Sequence, residues 1–230
     1  MKTIFFDLDD TLYFRRDAFF LAFTDYFGHK YDTVKILAND RCRIRGDEVF
    51  FQSQQGIISE KQMYIYRFQT GFRDAGISIS ESDALEFYSL YKKELYSMKL
   101  NPATISMLDF AKKYFSQLGV ITNGQSSHQR SKIENLGLNK WIDPKLIIIS
   151  GEQGCPKPDK KIFKIAEEKS GTAPENLIII GDSYSNDILP ARDLGWHTIW
   201  IDLYGENFEA PEFRAENTME VIDCLKKIQI

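Results

Sequence analysis

The chain has 230 residues, with 29 basic against 33 acidic side chains and a formal net charge of −4. That balance lacks the basic excess by which a dedicated nucleic-acid binder follows a phosphate backbone. Hydrophobic residues at 43% and charged residues at 27% are ordinary globular usage and exclude intrinsic disorder, and no apolar run reaches the roughly 18 residues of a membrane span.

The first residues turn acidic at Asp7 after only three apolar positions, too soon for a secretory signal. Cys42, Cys155 and Cys224 are odd in number, widely spaced and without a Cys-x-x-Cys pair. They read as free thiols in a reducing compartment, which makes a cytoplasmic location the expectation.

In chain order, Thr3–Leu8 is a near-continuous apolar run of strand length. About 100 residues then pass before the next such run, far more than the dozen that a crossover helix requires. Only helical signals fill that gap: Arg16–Phe27, Asp32–Arg45, Glu60–Phe72 and Glu81–Tyr96, with Ser59 and Gln62 spaced as a capping box. A helix starting at Asn101-Pro102 leads into the strand Leu118–Thr122, and a helix over Ser126–Leu136, stopped by Gly137, into Leu146–Ile149. A helix from Asp159 to Gly171 precedes Leu177–Ile180, and one over Asn186–Leu194, stopped by Gly195, precedes Thr198–Ile201. Buried strands alternating with helices predict an α/β domain with a doubly wound parallel, Rossmann-like sheet. Residues 1–13 and 97–230 form that core, and 14–96 a helical insertion after the first strand.

In such sheets ligands bind beyond the carboxyl ends of the strands. Four consecutive strand ends carry polar chemistry: Asp7-Leu8-Asp9-Asp10-Thr11, Thr122-Asn123-Gly124, Gly154-Cys155-Pro156-Lys157-Pro158-Asp159, and Gly181-Asp182-Ser183-Tyr184-Ser185-Asn186-Asp187. Asp-x-Asp-x-Thr, then Thr at a strand end, then Lys-Pro, then Gly-Asp-x-x-x-x-Asp, in that order, resembles the haloacid dehalogenase (HAD) superfamily. The resemblance is to its phosphatase branch, with nucleotidase-like members among it, and covers essentially the whole chain. The helical insertion looks like that family's cap, whose closure would exclude bulk water.

The chemistry of these side chains agrees. Two like charges about 4 Å apart repel by several kcal/mol at an effective dielectric near 20, so clustered carboxylates admit a phosphate dianion only if cations neutralise them. Lys157 is one cation; a divalent ion must supply the rest, and an all-oxygen ligand set selects Mg²⁺. The resemblance implies that Asp7 is the nucleophile, forming a phosphoaspartate, and also a metal ligand. Asp9 would be general acid and then base, its carbonyl a further metal ligand. Thr122 and the Asn123 backbone N–H would bind the phosphoryl oxygens, and Lys157 would bridge Asp7 and the phosphoryl group. Asp182 would bind Mg²⁺ directly, and Asp187 directly or through water. Asp10 reads as a loop-stabilising side chain and Thr11 as hydrogen-bonding locally within the motif.

Other phosphatase chemistries do not fit. The positions six after the cysteines are Glu48, Lys161 and Ile230, where a cysteine phosphatase needs arginine. His29, His128 and His197 are scattered outside the motifs, and no Gly-x-x-x-x-Gly-Lys-Ser/Thr loop exists. Residues 13–96 hold 18 of the 31 aromatics, which read chiefly as the insertion's own core. One or two of them stacking on a planar group such as a nucleobase is the functional alternative. Arg41, Arg43 and Arg45 read as a solvated helix face.

The expected activity is Mg²⁺-dependent hydrolysis of a small phosphorylated metabolite, a nucleoside monophosphate or sugar phosphate. No nucleic-acid or membrane partner is expected, and monomer and homodimer both remain open. A phosphomutase on the same fold and a non-catalytic binding or regulatory protein are the alternatives. Asp9 argues against a dehalogenase, because that branch lacks the second acid.

Overall fold

The computed structural model describes residues 2–206, 208 and 211–229. Six strands, β1 (Thr3–Phe6), β2 (Gln117–Thr122), β3 (Ile147–Ile149), β4 (Leu177–Gly181), β5 (His197–Ile201) and β6 (Phe213–Ala215), form one sheet in the order β3-β2-β1-β4-β5-β6. Every pairing is parallel. β1 lies between β2 and β4, with Thr3 opposite Gln117 on one side and Leu177 on the other. The order reverses direction there, which is where an open α/β sheet leaves a crevice.

The chain divides into two compact units, one of residues up to Phe14 together with those from Lys99 onward, the other Arg15–Met98. The second is helical: α1 (Arg15–Phe27), α2 (Lys35–Gln54), α3 (Glu60–Asp74) and α4 (Glu81–Ser97). Its core is aromatic, with Phe19, Phe23, Phe68, Phe72 and Phe87 at most 1% exposed. The Phe87 ring lies 4.8 Å from Phe68, 4.9 Å from Phe72 and 5.4 Å from Phe19, all edge-to-face, a geometry favoured by the ring quadrupole. Reciprocal capping boxes start α3 (Ser59 with Gln62) and α4 (Ser80 with Asp83). Arg45 is held by Asp74 and Glu48 at 2.7 Å each.

The other unit adds α5 (Pro102–Tyr114), α6 (Ser126–Asn135), α7 (Ser150–Gln153), α8 (Lys160–Ser170), α9 (Leu189–Arg192) and α10 (Thr218–Gln229). Asn101 caps α5 with Pro102 at its first position, and Asp159 caps α8, which ends at Gly171 in the left-handed conformation. α8 and α9 bring Ile162, Phe163, Ala166 and Ala191 against Phe5, Ile121 and Ile179 of the sheet. α5 and α10 pack on each other and against β2 and β5.

Several elements depart from the sequence expectations, the unanticipated helices α7 and α10 among them. α2 runs nine residues past Arg45, because Gly46 does not end it: Gly46 lies where a Cβ would stand 3.0 Å from the Arg67 side chain of α3. The helix expected over Asn186–Leu194 is a π-helical turn, Tyr184–Ile188, running into the short α9. β6 was not anticipated; three residues with exposed Arg214 in the middle carry almost no periodic signal, as suits a short charged edge strand.

Candidate active site

The motif residues lie where the strands end. Asp7 follows β1 directly, and its N–H donates to the Ile180 carbonyl of β4 at 2.8 Å, so the sheet ladder fixes its backbone. Thr122 is the last residue of β2 and Asp182 follows β4. Asp187 lies in the π-helical turn, fully buried, with its N–H on the Ser183 carbonyl at 2.8 Å. Its carboxylate packs so closely against β4 that a Cβ on Gly181 would stand 2.4 Å from Oδ2. The glycine of this motif is therefore required by a close approach.

Lys157 is the hub. Its Nζ donates to Asp7 Oδ1 at 2.6 Å, to Asp187 Oδ1 at 2.5 Å and to the Ile121 carbonyl at 3.0 Å, and the residue is 2% exposed. Asn123 holds the loop in place through a reciprocal pair: its Nδ2 donates to the Lys157 carbonyl at 2.9 Å, and its Oδ1 accepts from the Lys157 N–H at 2.8 Å. The amide side chain thus positions Lys157, a role that reading only its backbone N–H missed.

Asp7, Asp182 and Asp187 each offer a carboxylate oxygen, and these oxygens lie within 4.8 Å of one another. Lys157 alone does not balance them. Burial, chiefly, pushes Asp7 from the ordinary 3.8 up to about 7, with Lys157 pulling down and the charges of Asp187 and Asp9 pushing up. Burial works against the Lys157 charge, but Asp187 and then Asp7 outweigh it and hold the ammonium above the usual lysine range. A largely buried, all-oxygen, acid-rich cluster is a donor set that fits a hard divalent cation.

Asp9 faces other partners. Lys132 Nζ donates to both of its oxygens, at 2.6 and 2.8 Å, Gln129 Nε2 donates to Oδ2 at 3.1 Å, and the Tyr13 hydroxyl donates to Oδ1. The same Gln129 amide donates to Thr122 Oγ1 at 2.5 Å, linking the two motif residues. Neither Gln129 nor Lys132 was anticipated. The signal was present: α6 carries its inward stripe at positions 129, 132, 133 and 136, and Gln129 and Lys132 occupy two stripe positions beside Ile133 and Leu136. Polar side chains where periodicity demands apolar ones mark a buried polar network.

Asp10 is buried in the left-handed conformation at φ 59°, which an aspartate tolerates in a tight loop. The expected local hydrogen bond of Thr11 is not formed: its hydroxyl is fully enclosed and has no hydrogen-bond partner among the described residues. His29 pairs with Asp32 and His197 with Glu212.

Comparison with known proteins matches this geometry. The sequence profile of the haloacid dehalogenase-like hydrolases matches residues 4–201. The pyrimidine 5′-nucleotidase YjjG of Escherichia coli is 30% identical over 215 residues, 91% of this chain and 88% of that protein. A glyceraldehyde 3-phosphate phosphatase of Methanocaldococcus jannaschii is 26% identical over 235 residues, 100% of this chain and 99% of that one. Among solved structures, the HAD-hydrolase YfnB of Bacillus subtilis bound to magnesium superposes with a TM-score of 0.73 at 22% identity, covering 97% of this chain and 98% of that chain. A parallel sheet ending in these four motifs, with relatives named as phosphatases and a nucleotidase, makes the chain a member of the haloacid dehalogenase-like hydrolases.

Proposed function

We propose that this hydrolase is a Mg²⁺-dependent phosphomonoesterase acting on a nucleoside monophosphate through a phosphoaspartate at Asp7. The observation that carries the reading is Lys157 Nζ, 2.6 Å from Asp7 Oδ1 and 2.5 Å from Asp187 Oδ1 in a buried cluster. A lysine so placed favours the ionised form of Asp7 against the burial that opposes it, orients one oxygen and leaves the other for attack on phosphorus. The nucleoside monophosphate is favoured by the 30% identity to the pyrimidine 5′-nucleotidase; sugar phosphates are the second substrate class.

Asp7 attacks phosphorus, and the leaving oxygen takes a proton from Asp9. Thr122 Oγ1 and the Asn123 N–H donate to the phosphoryl oxygens as their charge redistributes. Asp9 then accepts a proton from the water that hydrolyses the phosphoaspartate. Asp7, Asp182 and Asp187, with the Asp9 carbonyl, would hold a Mg²⁺ ion, which would supply the positive charge that lets the phosphate dianion approach a carboxylate.

The test is release of inorganic phosphate from a panel of nucleoside and sugar monophosphates, with Mg²⁺ and with EDTA, beside Asp7→Asn. Turnover that needs metal and is abolished in Asp7→Asn is expected. Metal-independent turnover, or undiminished turnover in the variant, refutes the reading. Isomer interconversion without free phosphate assigns a mutase instead.

A further inference from the structure

Lys132 is buried on α6, 4% exposed, where a solvated lysine would be expected on a polar helix. Taking an ammonium out of water is costly unless a partner is fixed in place for it. Here the partner is Asp9, gripped on both oxygens, with Gln129 and Tyr13 completing four donor contacts. The Lys132 ammonium also lies 5.9 Å from the centre of the Tyr13 ring.

We propose that Lys132, assisted by Tyr13 and Gln129, is a positioning residue that orients Asp9 and stabilises the charge left on it when the leaving oxygen is protonated. The inference rests on the phosphoryl-transfer reading above. In the first half-reaction a bond forms from an Asp7 oxygen to phosphorus while the bond from phosphorus to the substrate oxygen breaks. That oxygen keeps the electron pair and takes the proton of Asp9, which becomes an anion. In the second half, water oxygen bonds to phosphorus and its proton goes to Asp9. The bond from phosphorus to Asp7 then breaks, its electron pair remaining on Asp7.

The arrangement around Asp9 fits the anion, since the four contacts from Lys132, Gln129 and Tyr13 are all donated to its carboxylate and one donor is a cation. Contacts aimed at charge that appears during the reaction lower its barrier. Lys132 therefore matters most where proton donation matters most, with an alkoxide leaving group, and little where the leaving oxygen departs unaided. A salt bridge that merely supports the fold has no such dependence. Gln129 differs, because its amide also holds Thr122 and its loss affects every ester.

The test compares the full chain with Lys132→Met, Lys132→Arg and Tyr13→Phe in Mg²⁺. One substrate is the sugar or nucleoside monophosphate that the wild type hydrolyses, the other p-nitrophenyl phosphate. For Lys132→Met, kcat/KM, which reports the leaving-group step and not the later hydrolysis common to both esters, is expected to fall about 10- to 100-fold on the alkyl ester, within the range for general acid catalysis, and by less than about threefold on p-nitrophenyl phosphate. On the alkyl ester KM is expected to stay within about twofold, and Lys132→Arg to recover most of the loss. Tyr13→Phe, which keeps the ring and removes one donor, shows the same selectivity at about 3- to 10-fold, so the inference stays testable if Lys132→Met does not fold. Equal losses on both esters, or no loss on either, overturn it while leaving the phosphatase reading intact. A wild type inactive on both esters refutes the phosphatase reading itself.

Discussion

Replacing Asp7, the proposed nucleophile, with its neutral isostere is expected to stabilise the metal-free protein. Asp7 is 7% exposed, and its carboxyl is raised from 3.8 to about 7 by burial first, then by Asp187 and Asp9, against the pull of Lys157. Each tenfold change in proton affinity is about 1.4 kcal/mol, so keeping Asp7 ionised inside the fold costs at most about 4 kcal/mol. The sign follows from linkage. Because the folded value lies above the unfolded one, the favourable contribution is complete below pH 3.8 and is lost as pH rises through about 7. In Asp7→Asn the amide oxygen can still accept from Lys157, and no charge is buried. Relaxation of the loops and water entry reduce the ceiling to an expected gain of about 1–3 kcal/mol at pH 8, and less at pH 5. Urea denaturation of both proteins in EDTA at the two pH values reads the difference directly. A variant no more stable than wild type at pH 8, or an offset that does not grow with pH, refutes the reasoning.

With Asp7 in the proposed Mg²⁺ ligand set, protons would compete with the ion, so calorimetric titration is expected to show binding about tenfold weaker at pH 6 than at pH 8, with protons released at the lower pH. A flat affinity would remove Asp7 from the ligand set. Gly181→Ala places a Cβ against Asp187 Oδ2; a displacement of about 1 Å there predicts roughly a hundredfold loss in kcat at about 1–3 kcal/mol of stability, and unchanged turnover would contradict the packing argument. Phe87→Ala empties the centre of the helical unit's aromatic cluster and is expected to cost about 3–5 kcal/mol in urea denaturation. Ser80→Ala removes one half of a capping box and is expected to cost about 1 kcal/mol.

The strands β1 to β5 were legible because they are buried on both faces, so their sequences are plain apolar runs; Leu177–Gly181 and Thr3–Phe6 need no periodicity analysis. The caps at Ser59, Asn101 and Asp159 were legible because their side-chain contacts are local in sequence. The four strand ends could be grouped once the sheet was taken as parallel. Contacts across long separations could not be read. Nothing near Asn123 announces that its amide locks Lys157, and nothing near Asp9 announces Lys132, 123 positions away. β6 and the π-helical turn escaped for another reason: each is shorter than the window in which a period can be counted.

The position of β1 has a consequence for how the protein is made. Among the described strands, the one that Asp7 follows is synthesised before the others, yet its neighbours in the sheet are Gln117–Val120 and Leu177–Ile180. No ladder can close around it until both have been synthesised, and contacts so distant in the chain form slowly. Between β1 and β2 comes the helical unit, Arg15–Met98, with its own aromatic cluster. Translation thus completes that unit while β1 is still unpaired, and Asp7 acquires its surroundings last.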